Sequence, residues 1–107
     1  MAERQLYIYK LDLTRPQMLI EGPTEAEAAI RDRHRSYIEA HAEAGTVLLA
    51  GRTQVTDERS FGIVVFYAGS TEEAESFVAA DPAIAEGLMT AEALPFAIAY
   101  HSQQLEL

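Results

Sequence analysis

With 107 residues the chain is long enough for one hydrophobic core and too short for two ordinary domains, so we expect a single domain over residues 1–107. Its 8 basic and 17 acidic side chains give a net charge of -9, which repels phosphate backbones and anionic lipid surfaces, so we expect no nucleic-acid partner and no membrane partner. The sequence has no cysteine, no apolar run near the ~18 residues that cross a bilayer and no signal-peptide pattern, so we expect a cytoplasmic protein without disulfides.

The first half of the chain predicts one strand and one long helix. Residues Leu6–Leu13 alternate in the manner of a strand. Thr24 and Glu27 have the spacing of a capping box, in which each side chain accepts a hydrogen bond from the other residue's backbone N–H and so starts a helix. We expect this helix to continue to about Ala44 and to stop at Gly45, because glycine adopts the left-handed cap conformation without steric cost.

The second half of the chain predicts three strands and one shorter helix. The strands are expected over Thr46–Gly51, Phe61–Ala68 and Leu94–His101. Ser70 and Glu73 form a second capping-box pattern. The helix that starts there is expected to end at Asp81, because Pro82 cannot continue it smoothly.

The element order β-α-β-β-α-β predicts an α+β fold of the ferredoxin-like type, an antiparallel sheet with two helices on one face. The other face of such a sheet is ordinarily polar. The third strand instead offers Phe61, Ile63 and Val65 on one face, and Val64 and Phe66 on the other. Because a bare apolar sheet face would be a large adhesive patch, we expect a homodimer that packs the two sheet faces together.

Each of the two predicted helices carries one polar residue on its apolar face. His34 lies four residues after Ile30 and three before Tyr37, and Asp81 lies four residues after Phe77. In a ferredoxin-like fold the two helices lie side by side and antiparallel, so we expect His34 and Asp81 to face one another. Such a pair can serve as a general base and then as a general acid near neutral pH.

The same two residues also admit a structural interpretation. A histidine on an apolar helix face is most often packed with one hydrogen bond, and an aspartate before proline is most often a cap or turn residue. A carboxylate beside the imidazole favours the protonated ring, whereas burial favours the neutral ring, and the sequence leaves both open. His41, two turns after His34, offers a metal site together with Asp81, but this spacing is longer than helical metal motifs use, so we expect no metal.

Two arginines follow predicted strands and are candidate substrate-binding residues. Arg15 follows the first strand and Arg52 follows the second. A guanidinium at the end of a strand can clamp a substrate carboxylate, although such a residue is more often a solvated loop residue.

The sequence resembles the YCII-related (YciI-like) family over nearly its whole length. The matching residues are His34, Tyr37-Ile38, Gly45, Leu48-Leu49-Ala50-Gly51, Ser70 to Ala74, Asp81-Pro82, Gly87 and Leu94-Pro95-Phe96. The resemblance implies a dimeric ferredoxin-like α/β barrel in which a histidine and an aspartate, here His34 and Asp81, form the active site. It also implies lyase-type chemistry on small cyclic compounds. Arg52 is a departure, since the family often has proline at this position.

Two functions follow from these observations. The first is a small cofactor-free enzyme, lyase- or isomerase-like, in which His34 is the general acid/base and Asp81 orients it toward a small organic molecule. The second is a non-catalytic module that binds a small molecule or acts as an accessory dimer, with His34 and Asp81 as a structural pair.

Overall fold

The computed structural model describes residues 4–105 and has the predicted α+β architecture. The elements in chain order are β1 (Gln5–Leu13), α1 (Met18–Glu21), α2 (Glu25–Glu43), β2 (Val47–Arg52), β3 (Gly62–Ala68), α3 (Thr71–Ala80), α4 (Pro82–Ala85), β4 (Met89–Thr90) and β5 (Ala93–Pro95). Within residues 4–105, no helix combines the length and the apolar character needed to span a membrane.

The sheet is antiparallel and follows the order β2-β3-β1-β4, with β5 also on β1. Thr90 of β4 lies opposite Asp12 of β1, and Ala93 of β5 lies opposite Tyr9. Thr90 and Ala93 are three positions apart, and so are their partners Asp12 and Tyr9, so β4 and β5 pair with the same edge of β1 in one continuous register. Together they occupy the place of the fourth ferredoxin-like strand.

The fourth strand is shorter than the sequence pattern predicted. A strand was expected over Leu94–His101, but β5 ends at Pro95 and Tyr100 is 95% exposed. The cause is where β1 begins. The Phe96 N–H donates a hydrogen bond to the Leu6 carbonyl, and β1 begins one residue before Leu6, at Gln5. Beyond that bond β1 has one residue left, Gln5, and within residues 4–105 the strand pairing goes no further.

The core lies between one face of the sheet and the helices. Tyr9 of β1 and Phe66 of β3 are fully buried, with ring centroids 5.6 Å apart, and Phe77 of α3 stacks on Phe66 at 4.5 Å. Ile38 of α2 and Val78 of α3 pack against the same cluster, which places both helices on this face. The strand alternation that predicted two apolar faces is confirmed, since Val64 and Phe66 face the helices while Val65, also buried, faces the other way.

The helix termini follow the sequence closely, with one exception. Both hydrogen bonds of the capping box between Thr24 and Glu27 are present, and Gly45 adopts a φ of 84° just after α2. At α3, the Ser70 hydroxyl accepts from the Glu73 N–H, but the reciprocal bond is absent from the described residues. The Glu73 carboxylate lies against Gly69 instead, so only half of the predicted second capping box forms.

Helix α2 stands away from part of the sheet. None of its residues is fully buried, and Ala26, Ala29 and Ala42 are exposed. Tyr37 and Ile38 are half-buried. The space left between this helix and the sheet is the cavity described below.

Candidate functional site

Asp81 lies at the junction of α3 and α4, where Pro82 ends one helix and starts the next. It is the C-cap residue of α3 and the N-cap residue of α4, and its Oδ1 accepts a hydrogen bond from the Ala83 N–H at 2.9 Å. Its side chain is 0% exposed. The cap role that the sequence offered as a structural interpretation is therefore real, and it leaves most of the carboxylate's accepting capacity for other donors.

His34 binds this carboxylate directly, as the helical spacing and the element order predicted. Its Nδ1 lies 2.7 Å from Asp81 Oδ1 and 2.9 Å from Oδ2. The His34 side chain is 17% exposed, so the ring is wedged between the buried carboxylate and open space. Helix α2 is thereby tied to the α3–α4 junction.

Tyr9 supplies a third donor that the sequence patterns missed. Its hydroxyl donates to Asp81 Oδ2 at 2.8 Å from the centre of β1. Burial raises the pKa of Tyr9 far above its ordinary value, and the neighbouring Asp81 charge adds to the shift. The phenol is therefore neutral and donates, and with Ala83 N–H and His34 it completes three hydrogen bonds to one buried carboxylate.

This arrangement fixes the tautomer of His34. A carboxylate has no proton to donate and can only accept, so Nδ1 carries a proton and donates it to Asp81. In the neutral ring, Nε2 then holds a free lone pair. No hydrogen-bond partner for Nε2 is present within residues 4–105, and the ring lines a cavity.

The cavity has a volume of about 710 Å³ and lies between α2 and the sheet. This volume is in the range of small-molecule sites in proteins, about 300–1,000 Å³. Its apolar lining comes from β1, α1, α2 and β3: Leu11, Leu13, Met18, Ile38 and Val64. The charged side chains that line it besides His34 are Arg31, Arg35, Arg52 and Glu39.

The two arginines that the sequence singled out are placed differently. Arg52, at the end of β2, lines the cavity. Arg15 does not, and its guanidinium binds Glu27 through two hydrogen bonds of 2.9 and 2.6 Å and reaches Glu21 at 3.4 Å. The hydrogen bonds from Arg15 lower the pKa of Glu27 to about 2. Arg15 therefore joins the loop after β1 to the first turn of α2 and has its donors occupied by carboxylates.

His41 is part of an aromatic cluster on the other side of α2. Its ring centroid lies 4.6 Å from that of Tyr37 and 4.9 Å from that of Phe77, and the Tyr37 hydroxyl donates to the Phe77 carbonyl at 2.8 Å. Burial, with a smaller contribution from Asp81, raises the pKa of Tyr37 to about 12. In the described part of the chain, no group of three or more His, Asp or Glu side chains is placed to hold a metal ion.

The geometry therefore offers one oriented imidazole, a buried carboxylate behind it and an apolar cavity in front of it. Sequence patterns identified His34, Asp81 and Arg52. They missed Tyr9, Arg31 and Arg35, although the two arginines lie four residues apart on α2 on either side of His34, which places them on one helix face.

The fold is shared with a solved structure. The 5-chloro-2-hydroxyhydroquinone dehydrochlorinase of Burkholderia phenoliruptrix AC1100, in complex with 2,5-dihydroxybenzoquinone, matches 86% of this chain and 93% of its own at a TM-score of 0.63 and 21% identity. None of the curated proteins matches the sequence. The YCII-related domain family matches residues 8–96, which include His34, Asp81, most of β1 and the whole of the other four strands. On this match, the chain belongs to the YCII-related domain family.

Proposed function

We propose that this protein is a small cofactor-free enzyme in which His34 moves a proton of a small organic substrate. The observation that carries the proposal is the contact of 2.7 Å between His34 Nδ1 and the buried Asp81, made while the same ring lines a cavity of about 710 Å³. A histidine that served only to pack the helices would not need an open space of this size beside its second nitrogen.

The proposed chemistry is a proton transfer of the lyase or isomerase type. His34 Nε2 takes a proton from the substrate, and the electron pair of that bond forms a double bond. In a lyase a leaving group departs from the adjacent carbon, and in an isomerase the proton returns at another carbon. The imidazolium formed in this step faces the Asp81 carboxylate, which stabilises its charge without taking its proton.

Three neighbouring groups have supporting roles in this proposal. Asp81 positions the ring, Tyr9 holds Asp81 from the sheet side, and Arg52 binds an anionic group of the substrate at the mouth of the cavity. The dehydrochlorinase that shares this fold supports a lyase reaction on a hydroxylated ring as the first activity to test.

The test is a panel of chlorinated hydroxyhydroquinones and related cyclic acids, assayed with the wild type, His34→Gln and Asp81→Asn. We expect the wild type to turn over at least one compound, and His34→Gln to lose about 10²-fold or more of that rate. Asp81→Asn should also be slower than the wild type, because the ring loses the charge behind it and part of the tautomer preference that leaves Nε2 free. Turnover by both variants at the wild-type rate would disprove the roles given to these residues.

A non-catalytic binding module is the alternative, and the placement of Asp81 is the observation that favours it. This carboxylate joins α2, β1 and the α3–α4 junction, which is what a structural pair would do. On this alternative, His34→Ala lowers the free energy of unfolding by about 1–3 kcal/mol, since a buried carboxylate loses a partner. That loss, combined with no turnover of any compound by the wild type, would support the module over the enzyme.

We also propose that the protein is a homodimer formed through the outer face of the sheet. Val65 on this face is buried within one chain, and Ile63 and Leu49 beside it are half-buried and apolar. Light scattering at micromolar concentration should give twice the mass of one chain. A mass equal to one chain would contradict this assembly.

A further inference from the structure

We propose that the cavity beside His34 selects a small organic anion, bound by three arginines, Arg31, Arg35 and Arg52, with its uncharged part on the apolar lining. The inference rests on the proposed function, because it assumes that the cavity holds the molecule on which His34 acts. It adds the chemical class of that molecule and two residues, Arg31 and Arg35, that sequence patterns did not single out.

Positive charge is concentrated at this cavity. The chain has only 8 basic residues against 17 acidic ones, and three of those 8 line this one cavity. Arg31 and Arg35 lie on the face of α2 that also carries His34, and Arg52 comes from the end of β2. In a protein of net charge -9, such a concentration marks the place where an anion is most favourably bound.

The basic side chains around the cavity differ from the others in their partners. The five that do not line the cavity all have one: Arg4 over the Tyr67 ring, Lys10 with Asp12, Arg15 with Glu27, Arg33 with Glu86 and Arg59 with Asp57. Within residues 4–105, Arg35 and Arg52 have no carboxylate within 4.0 Å, and Arg31 reaches only Asp32, at 3.9 Å. Among the described residues the guanidinium donors of Arg35 and Arg52 therefore have no carboxylate partner, and Arg31 has one long contact that a ligand can replace.

One acidic residue, Glu39, also lines the cavity, and its negative charge opposes the positive charge of the arginines. Glu39 lies four residues after Arg35, the spacing of a helical ion pair, but the two side chains form no ion pair in the structure. A single carboxylate against three guanidinium groups leaves the lining positive. Glu39 is also a means of discrimination, because it disfavours an anion that extends along α2 away from Arg31.

The apolar lining decides between kinds of anion. Leu11, Ile38 and Val64 offer no hydrogen bonds to a sugar or a polyol, and they favour a compact apolar body such as a ring. A guanidinium presents a planar pair of donors that matches the two oxygens of a carboxylate and also those of a phosphate. Because the apolar lining suits a ring and disfavours a sugar or a bare inorganic ion, the combination predicts a cyclic carboxylate rather than an inorganic or sugar phosphate.

The chemistry of proton transfer gives these arginines a further purpose. When His34 removes a proton from a molecule that is already an anion, negative charge accumulates on the substrate. Fixed positive groups at the cavity stabilise that charge more than they stabilise the starting molecule, and this difference is what accelerates a reaction.

The test compares a planar anion with its neutral isostere. Benzoate and benzamide are titrated against the wild type and followed by chemical shifts of backbone amides around the cavity. We expect benzoate to bind at millimolar concentration and benzamide to bind at least about fivefold more weakly, the factor expected for partly exposed charge pairs. Added salt should weaken the binding of benzoate and leave that of benzamide unchanged.

Two variants and a matched control locate the site. Arg35→Gln and Arg52→Gln should each weaken benzoate about fivefold without affecting benzamide. Arg59→Gln removes an exposed arginine that does not line the cavity and is paired with Asp57, and it should bind benzoate as the wild type does. Equal affinity for the two probes, unchanged benzoate binding in both cavity variants, or no benzoate binding at millimolar concentration would each overturn the inference.

The variant His34→Gln separates this inference from the proposed function. If benzoate binding shows the expected arginine dependence but no substrate needs His34, the inference stands and the proposed function fails. If His34 is required for turnover of neutral compounds only, the function stands and the inference fails.

Discussion

The hydroxyl of Tyr9 provides the sharpest test of how Asp81 is held. Tyr9→Phe removes one oxygen atom and leaves the ring in contact with Phe66 and Phe77. The lost interaction is a buried hydrogen bond of 2.8 Å to a carboxylate, and hydrogen bonds to charged groups contribute about 1.5–3 kcal/mol. We expect Tyr9→Phe to lower the free energy of unfolding by about this amount.

Tyr7 is a matched control on the same strand and the same face. It is nearly as buried as Tyr9, at 3% against 0% exposed, but its hydroxyl lies 3.3 Å from the neutral Thr71 Oγ1 and meets no carboxylate within residues 4–105. Tyr7→Phe should therefore cost no more than about 1 kcal/mol.

The assay is thermal and urea unfolding followed by far-UV circular dichroism, since the chain has no tryptophan. For a domain of this size each kcal/mol moves the Tm by roughly 4–8 °C, so Tyr9→Phe should melt at least about 6 °C below the wild type. A double-mutant cycle with Asp81→Asn should show coupling between the two side chains. The reasoning is refuted if Tyr9→Phe costs no more than Tyr7→Phe, or if Tyr9→Phe and Asp81→Asn are additive.

Three further predictions concern the frame around the site. Arg15 lowers the pKa of Glu27 from 4.5 to about 2, so this ion pair stabilises the fold above pH 4.5 and loses that effect as the pH falls toward 2. The Tm of Glu27→Gln should therefore fall less than that of the wild type over this pH range. The same pH profile in both proteins would count against the ion pair. A methyl group added at Gly62 meets the Gly51 carbonyl at 3.3 Å, whereas one added at Gly51 meets nothing within 4 Å. In urea unfolding, Gly62→Ala should lower the free energy of unfolding by about 1–3 kcal/mol, and Gly51→Ala should not lower it. Equal values for the two variants would refute the contact. Thr24→Ala removes the hydrogen bond from the Glu27 N–H to the Thr24 hydroxyl and should lower the free energy of unfolding by about 0.5–2 kcal/mol in the same assay. An unchanged free energy of unfolding would show that this end of α2 is frayed and that the cap does not stabilise it.

The sequence predicted the pairing of His34 and Asp81 because helical periodicity assigns each residue to a face and the element order sets the helices side by side. Gly45 and the capping box at Thr24 were predictable for a similar reason, since both depend on local backbone chemistry alone. These features need no knowledge of distances between elements.

What the sequence could not predict depends on distances across the fold. The alternation of β1 turns both Tyr7 and Tyr9 inward, and it does not tell which of them meets a carboxylate. Arg31 and Arg35 have the pattern of a solvated helix face, and only the gap between α2 and the sheet makes them cavity residues. The fourth strand was overestimated because its length depends on where β1 begins, which the alternation of residues 94–101 cannot reveal.

The central claim is that Asp81 holds His34 by Nδ1 and leaves Nε2 free toward the cavity for proton transfer. The most direct measurement is the nitrogen-15 NMR spectrum of the His34 ring, recorded at a pH where the imidazole is neutral. We expect a proton on Nδ1 and an unprotonated Nε2, with this preference diminished in Asp81→Asn. A neutral ring that carries its proton on Nε2 would disprove the role given to His34, because that nitrogen could not then accept a proton from a substrate.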